Sequence, residues 1–151
     1  VGVYGLSMGG AIGLLAAAQF PQIQAVVTDS TYGNLTEALA WNHQLQYHLP
    51  RFPMGQMVIW GAQLRLGGSL DRLNPLRVVS QLAPRPVLFI HGAEDVSIPP
   101  VHAKNLYQAA LDPKELWLVP KAEHAASYYL EKETYPRKVL EVFDHGLQRK
   151  T

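Results

Sequence analysis

The chain has 151 residues, enough for one globular domain, of which 48% are apolar and 17% charged. Its 13 basic and 12 acidic side chains leave a formal charge of +1, which excludes the basic face of a dedicated nucleic-acid binder. Cysteine is absent, so disulfides, zinc–thiolate sites and a thiol nucleophile are excluded too. No apolar run is long enough to cross a bilayer and no signal-peptide pattern is present; the compartment stays open, with the cytoplasm as the default.

Val1 to Tyr4 is short, apolar and partly β-branched, and reads as the tail of a buried strand ending at Gly5. Met8 to Phe20 is rich in Ala and Leu and free of Pro, which predicts a buried helix stopped by Pro21. Further strands are expected at Ile23–Ser30, Pro86–Gly92 and Glu115–Pro120. "PPVHAKNLYQAAL" reads as a helix with Pro near its start, and "ETYPRKVLEVFDHGL" as the last helix. Strands alternating with helices imply an α/β fold: a parallel sheet with helices on both faces.

Residues 34–70 break the alternation. "NLTEALAWNHQLQYHL" looks helical, and "PRFPMGQMVIWGAQLRLGGSL" is broken by Pro and Gly. Phe52, Met54, Met57, Ile59 and Trp60 look exposed within it. Such an insertion between core segments 1–33 and 71–151 predicts a lid or cap; the plainer alternative is a helical pair packed on the sheet edge. Met54, Met57 and Trp60 are its candidate substrate-binding residues, suited to an acyl or other hydrophobic group. Arg51 and Arg65 are charged positions for an anionic substrate, or solvated surface residues.

Gly5-Leu6-Ser7-Met8-Gly9 is a G-x-S-x-G sequence at a strand-to-helix junction. A sharp turn there strains the serine and calls for residues without side chains two positions to either side, which Gly5 and Gly9 satisfy and Gly10 extends. A phosphate cradle is disfavoured: the glycine spacing is not G-x-G-x-x-G and no Walker lysine follows. A serine nucleophile needs a base, and the base needs an orienting acid. Among six histidines, His43 and His48 fall in the insertion, His91 reads as a packed structural residue, and His102 and His145 look solvated. His124, in "VPKAEHAASY", follows the last strand at the end of a parallel sheet where ligands bind, and is the expected base. Asp95, in "HGAEDVSIP", follows the preceding strand and is the expected acid. Asp29 is its competitor, with a turn or cap as its plainer role, and Glu94 is adjacent. The order Ser7, Asp95, His124 is that of an α/β-hydrolase plan and not of the chymotrypsin or subtilisin plans. The histidines are scattered with no metal-ligand spacing, and the chemistry needs no cofactor.

"YGLSMGG", "RPVLFIHGAEDVSIP" and "KELWLVPKAEH" together resemble the elbow, acid and histidine segments of the α/β-hydrolase superfamily. The style is similar to its serine-aminopeptidase-like and prolyl-oligopeptidase-like members and to small bacterial carboxylesterases. The resemblance implies a serine hydrolase acting through an acyl-enzyme on a small-molecule ester or amide, with the backbone N–H of Met8 as one oxyanion donor. It also implies that this chain is the C-terminal portion of the fold. In the family the elbow follows the fifth of eight strands, and the second oxyanion donor comes from the loop after the third. The expectation is therefore an impaired activity for this chain alone, with an apolar edge of the first strand open to association. The rival readings are a non-catalytic binding module on the same fold and a split-domain interaction partner.

Overall fold

A computed structural model describes residues 1–47 and 51–147. Four strands form one all-parallel sheet in sequential order: β1 (Gly2–Leu6), β2 (Ala25–Asp29), β3 (Val87–Gly92) and β4 (Lys114–Val119). The helices are α1 (Met8–Gln19), α2 (Leu35–Tyr47), α3 (Gln56–Leu66), α4 (Val101–Ala109), α5 (Ser127–Leu130) and α6 (Thr134–Leu147). The expected α/β class and every expected strand are present, with ends shifted by one or two residues.

The apolar runs of β2 and β3 are buried along their whole length, so both faces must be covered. Alternate residues divide between two cores, as the period of a strand requires. Val26, Val87 and Phe89 pack with Leu14 and Ala17 of α1, Leu106 of α4 and Ala110 just after it. Val27, Leu88 and Ile90 face the other way, against Tyr135, Val139, Val142 and Phe143 of α6. Helices therefore lie on both faces. Asp29 pairs with Leu6 in register, and the parallel order brings the segments after all four strands to one edge of the sheet.

β1 is one outer strand of the described sheet. Tyr4, Leu6, Met8 and Ile12 are exposed on this side of the molecule. Residues 34–70 contribute α2 and α3, which pack against each other with an irregular turn at Arg51–Gly55. The second half of the insertion is less broken than its Pro and Gly content predicts: α3 runs on through Gly61 and stops at Gly67, whose φ of 67° suits a helix terminus. Ile59, expected to be exposed, is buried (8%), while its neighbours Met57, Val58 and Trp60 are exposed: one face of α3 is turned inward and the apolar run alone does not say which. Residues 70–82, which carry no clear periodicity, form three single 3-10 turns. No helix among the described residues is long and apolar enough to cross a membrane.

Candidate active site

Ser7 stands between β1 and α1 with φ 51° and ψ −120°, a conformation that an L-residue holds only when its surroundings enforce it. Its N–H donates to the Asp29 carbonyl at 2.8 Å, and its own carbonyl accepts from Gly10 N–H at 3.1 Å. A Cβ on Gly5 would overlap the Gly9 carbonyl and lie 2.5 Å from Gly10 N; a Cβ on Gly10 would overlap Thr31 Oγ1 and lie 3.0 Å from the Gly5 carbonyl oxygen. Gly5 and Gly10 are therefore required by the turn. Gly9 is not: a Cβ there meets nothing within 4 Å. The expectation that Gly9 must lack a side chain fails because that position faces outward, while Gly10 faces β2. Met8 opens α1, and the first N–H groups of a helix have no acceptor within it, so positive potential collects beside Ser7.

The other two expected residues meet Ser7 from β3 and β4. His124 Nε2 lies 3.1 Å from Ser7 Oγ, and its Nδ1 lies 2.7 Å from Asp95 Oδ2. Asp95 is buried, and its Oδ1 accepts the backbone N–H groups of Ser97 (2.9 Å) and Ile98 (2.8 Å). Burial alone would raise the Asp95 pKa, but hydrogen bonding to His91, Ile98 N–H and His124 outweighs it and holds the carboxyl below its ordinary range. An ionised carboxylate can only accept, so the His124 proton sits on Nδ1 and Nε2 is left to take the Ser7 proton. Ser7, Asp95 and His124, 117 residues apart at the extremes, thus form one continuous hydrogen-bonded line.

Two other residues weighed from sequence sit differently. Asp29 is buried at the end of β2, but its carboxylate is taken by other groups: Ser30 Oγ (3.0 Å), Ser127 Oγ (3.3 Å) and Tyr135 OH (2.8 Å). Burial raises its pKa in spite of these donors. His102, expected to be solvated, is buried (4%). Its Nδ1 accepts the Gly33 N–H at 3.4 Å, and burial lowers its pKa. The expectation fails because its packing partner, the segment after β2 at Gly33, is 69 positions away in the chain. His91 is fully buried, as expected, and it also lies against the Asp95 carboxylate. Its Nε2 donates to the Ile98 carbonyl at 2.7 Å and lies 3.4 Å from Asp95 Oδ2.

The insertion reaches the Asp95 loop as well. Trp41 Nε1 donates to the Val96 carbonyl at 2.7 Å, and Asn42 Nδ2 to the Ser97 carbonyl at 2.9 Å. Nothing in the sequence pattern singles these residues out; only the fold of α2 over the Asp95 loop reveals them. Met54, Met57 and Trp60 lie on the α3 half of the insertion and are 37%, 58% and 62% exposed. None belongs to the apolar clusters around the sheet. Arg65 is exposed on α3; His48 and the Arg51 side chain lie outside the described residues. Among the described residues no group of His, Cys, Asp and Glu is placed to hold a metal ion.

The comparisons with known proteins follow the same lines. A family model described as alpha/beta hydrolase fold matches residues 1–70. The uncharacterized Bacillus subtilis protein YqkD is 32% identical over 147 residues, covering 96% of this chain and 48% of its own length. The uncharacterized Escherichia coli protein YfhR is 28% identical over 128 residues, 83% of this chain and 38% of its own. The chain thus spans half or less of the length of these curated relatives. Among solved structures, the Pyrococcus furiosus esterase Pf2001 superposes with a TM-score of 0.72 at 21% identity, over 96% of this chain and 53% of that one. The esterase domain of a Rhodothermus marinus protein superposes with a TM-score of 0.64 at 24% identity, over 91% and 58%. At such identities the solved structures speak for the fold alone. The family match over residues 1–70 and the superpositions agree on it: the chain has the alpha/beta hydrolase fold.

Proposed function

We propose that this chain carries the nucleophile, base and acid of a serine hydrolase: Ser7, His124 and Asp95. The observation that carries the reading is the line of hydrogen bonds from Ser7 Oγ through His124 to the buried Asp95 carboxylate. In the proposed reaction His124 Nε2 takes the Ser7 proton as Oγ attacks a carbonyl carbon. The oxyanion that forms turns to the N–H of Met8 at the start of α1. Collapse of the tetrahedral adduct expels the alcohol or amine, protonated by His124, and leaves an acyl-serine. Water, deprotonated by the same histidine, then releases the acid and restores Ser7. One oxyanion donor is worth on the order of 10²–10³ in rate, so activity should depend on how completely that hole is built around Met8.

Carboxylic esters are the favoured substrates, because the insertion offers Met54, Met57 and Trp60 to a hydrophobic acyl group. Equal KM values for short-chain and long-chain p-nitrophenyl esters would count against that site. The open apolar edge of β1 is the surface proposed for association; sedimentation as a monomer at high concentration would remove that proposal. The central test is labelling with a fluorophosphonate probe and peptide mapping. The label should fall on Ser7, vanish in Ser7→Ala and drop steeply in His124→Ala. A label that survives Ser7→Ala would refute the assignment.

A further inference from the structure

The segment Asp29-Ser30-Thr31 at the end of β2 touches both halves of the Ser7–His124 pair. On the elbow side, Asp29 O accepts Ser7 N–H at 2.8 Å and Thr31 Oγ1 donates to Ser7 O at 3.0 Å. On the histidine side, Ser30 Oγ accepts the N–H of Ala125, the residue after His124, at 3.0 Å. All three residues are buried (2% exposed or less). Ser7, Ser30 and Ala125 each hold a positive φ, of 51°, 53° and 59°. A non-glycine residue in that region costs of order 1–2 kcal/mol, so these three strained residues, each in or hydrogen-bonded to the 29–31 segment, are over-determined by their surroundings.

The orientation of the Ser30 hydroxyl is set by the acid beside it. Its proton goes to Asp29 Oδ1, which leaves its lone pairs to face Ala125 N–H. Asp29 is in turn fixed from the other core by Tyr135, Ser127 and, through Tyr135, the Tyr4 hydroxyl at 3.0 Å. A buried carboxylate with a raised pKa is costly to keep, and the triad line does not use it.

We infer that Asp29 and Ser30 are positioning residues: they lock the His124 loop to the Ser7 elbow through the Asp29–Ser30–Ala125 hydrogen bonds. The inference rests on the serine-hydrolase reading for its catalytic consequence, but not for the lock itself. Without the Ser30 hydroxyl, Ala125 N–H loses its acceptor, and the 3.1 Å approach of His124 to Ser7 keeps the Asp95 bond but loses the restraint on its backbone.

The test uses the full chain. Ser30→Ala removes the hydroxyl, and Ser30→Gly removes it while accepting the positive φ, so the second variant retains the fold if the first does not. Hydrogen exchange followed by mass spectrometry should show faster exchange in residues 122–128 of both, with β3 unchanged. Fluorophosphonate labelling of Ser7 should slow by about tenfold, the loss expected for one hydrogen bond's worth of positioning. Asp29→Leu should slow labelling similarly, and Asp29→Asn, which keeps an oxygen for Ser30, should recover most of that loss. A residue with a merely structural role would not discriminate Asn from Leu by labelling rate at equal stability. Parental exchange in residues 122–128 of Ser30→Gly would overturn the lock. Absence of label on Ser7 in the parent would refute the hydrolase reading instead, and exchange alone would then decide the lock.

Discussion

The elbow makes an unequal demand on its three glycines, and alanine at each tests it. In Gly5→Ala the new Cβ would lie on the Gly9 carbonyl and 2.5 Å from Gly10 N. Both obstacles are backbone at the start of α1, so relief requires displacing the helix from the strand that precedes it. Overpacking a tight core costs about 1–3 kcal/mol where side chains can yield; here none can, so the loss should reach about 3 kcal/mol or more. Gly10→Ala would collide with Thr31 Oγ1 and, at 3.1 Å, with Thr28 Cβ. Thr31 can turn away only by breaking its hydrogen bond to Ser7 O, so a loss of about 2–3 kcal/mol is expected. Gly9→Ala meets nothing within 4 Å and exchanges a poor helix former for the best, a gain of up to about 1 kcal/mol. Urea denaturation followed by far-UV circular dichroism measures all three. If Gly9→Ala is destabilised as much as Gly5→Ala, the account of the elbow is wrong.

Asp95→Asn should slow Ser7 labelling by on the order of 10⁴-fold, because an amide whose oxygen keeps the Ser97 and Ile98 N–H groups presents N–H to His124 and forces the wrong tautomer; a loss below tenfold would remove Asp95 from its role. The lowered pKa of Asp95 contributes stability that is complete above the ordinary Asp value of about 3.9 and is lost as pH falls through the lower folded value. Urea midpoints of the parent should therefore drop below about pH 4 more steeply than those of Asp95→Asn. The raised pKa of Asp29 works in the opposite sense: its contribution is present below the ordinary value and disappears as pH rises through the folded one. The parent should gain stability relative to Asp29→Asn on going from neutral pH toward pH 4, and a difference that is flat with pH would contradict the burial argument. Trp41→Phe keeps a ring but deletes the donor to Val96; it should cost about 1 kcal/mol in urea denaturation and speed amide exchange at Ser97 and Ile98. Unchanged exchange there would mean that α2 does not brace the acid loop.

What could be read from the sequence was what a local rule dictates. The strands show as apolar, β-branched runs because β2 and β3 are covered on both faces and need no polar residues. Ser7, Asp95 and His124 stand out because each follows a strand, and a parallel sheet gathers such positions at one edge with no knowledge of packing. What misled was every judgement that depended on a neighbour distant in the chain. Gly9 satisfies the spacing of the motif, yet Gly10 is the residue facing Thr31. His102 lies in a short helix with nothing in its surroundings to mark it as buried, yet its imidazole accepts from Gly33 N–H, 69 positions away. Asp29 carries the features of a turn residue and of an alternative acid, and a sequence cannot show that Tyr135, 106 positions later, occupies its carboxylate.

That last case shows why the same end of β2 was hard to read and why it matters to the proposed chemistry. A nucleophile–base pair drawn from segments 117 residues apart stays at 3.1 Å when the His124 segment, between β4 and α5, is fixed to the turn between β1 and α1. The central position of β2, between the strand that leads to Ser7 and the strand that leads to Asp95, makes its tail the one place adjacent to both. Backbone atoms of Asp29 serve the elbow, whatever the side chain. The Ser30 hydroxyl reaches the residue next to His124, and a hydroxyl that must accept there needs a buried acceptor for its own proton. The charge on Asp29 is therefore costly to folding but consistent with geometry: its acceptor oxygen keeps the Ser30 lone pair aimed at Ala125, where a neighbour without an acceptor, as in Asp29→Leu, would leave the hydroxyl free to turn away.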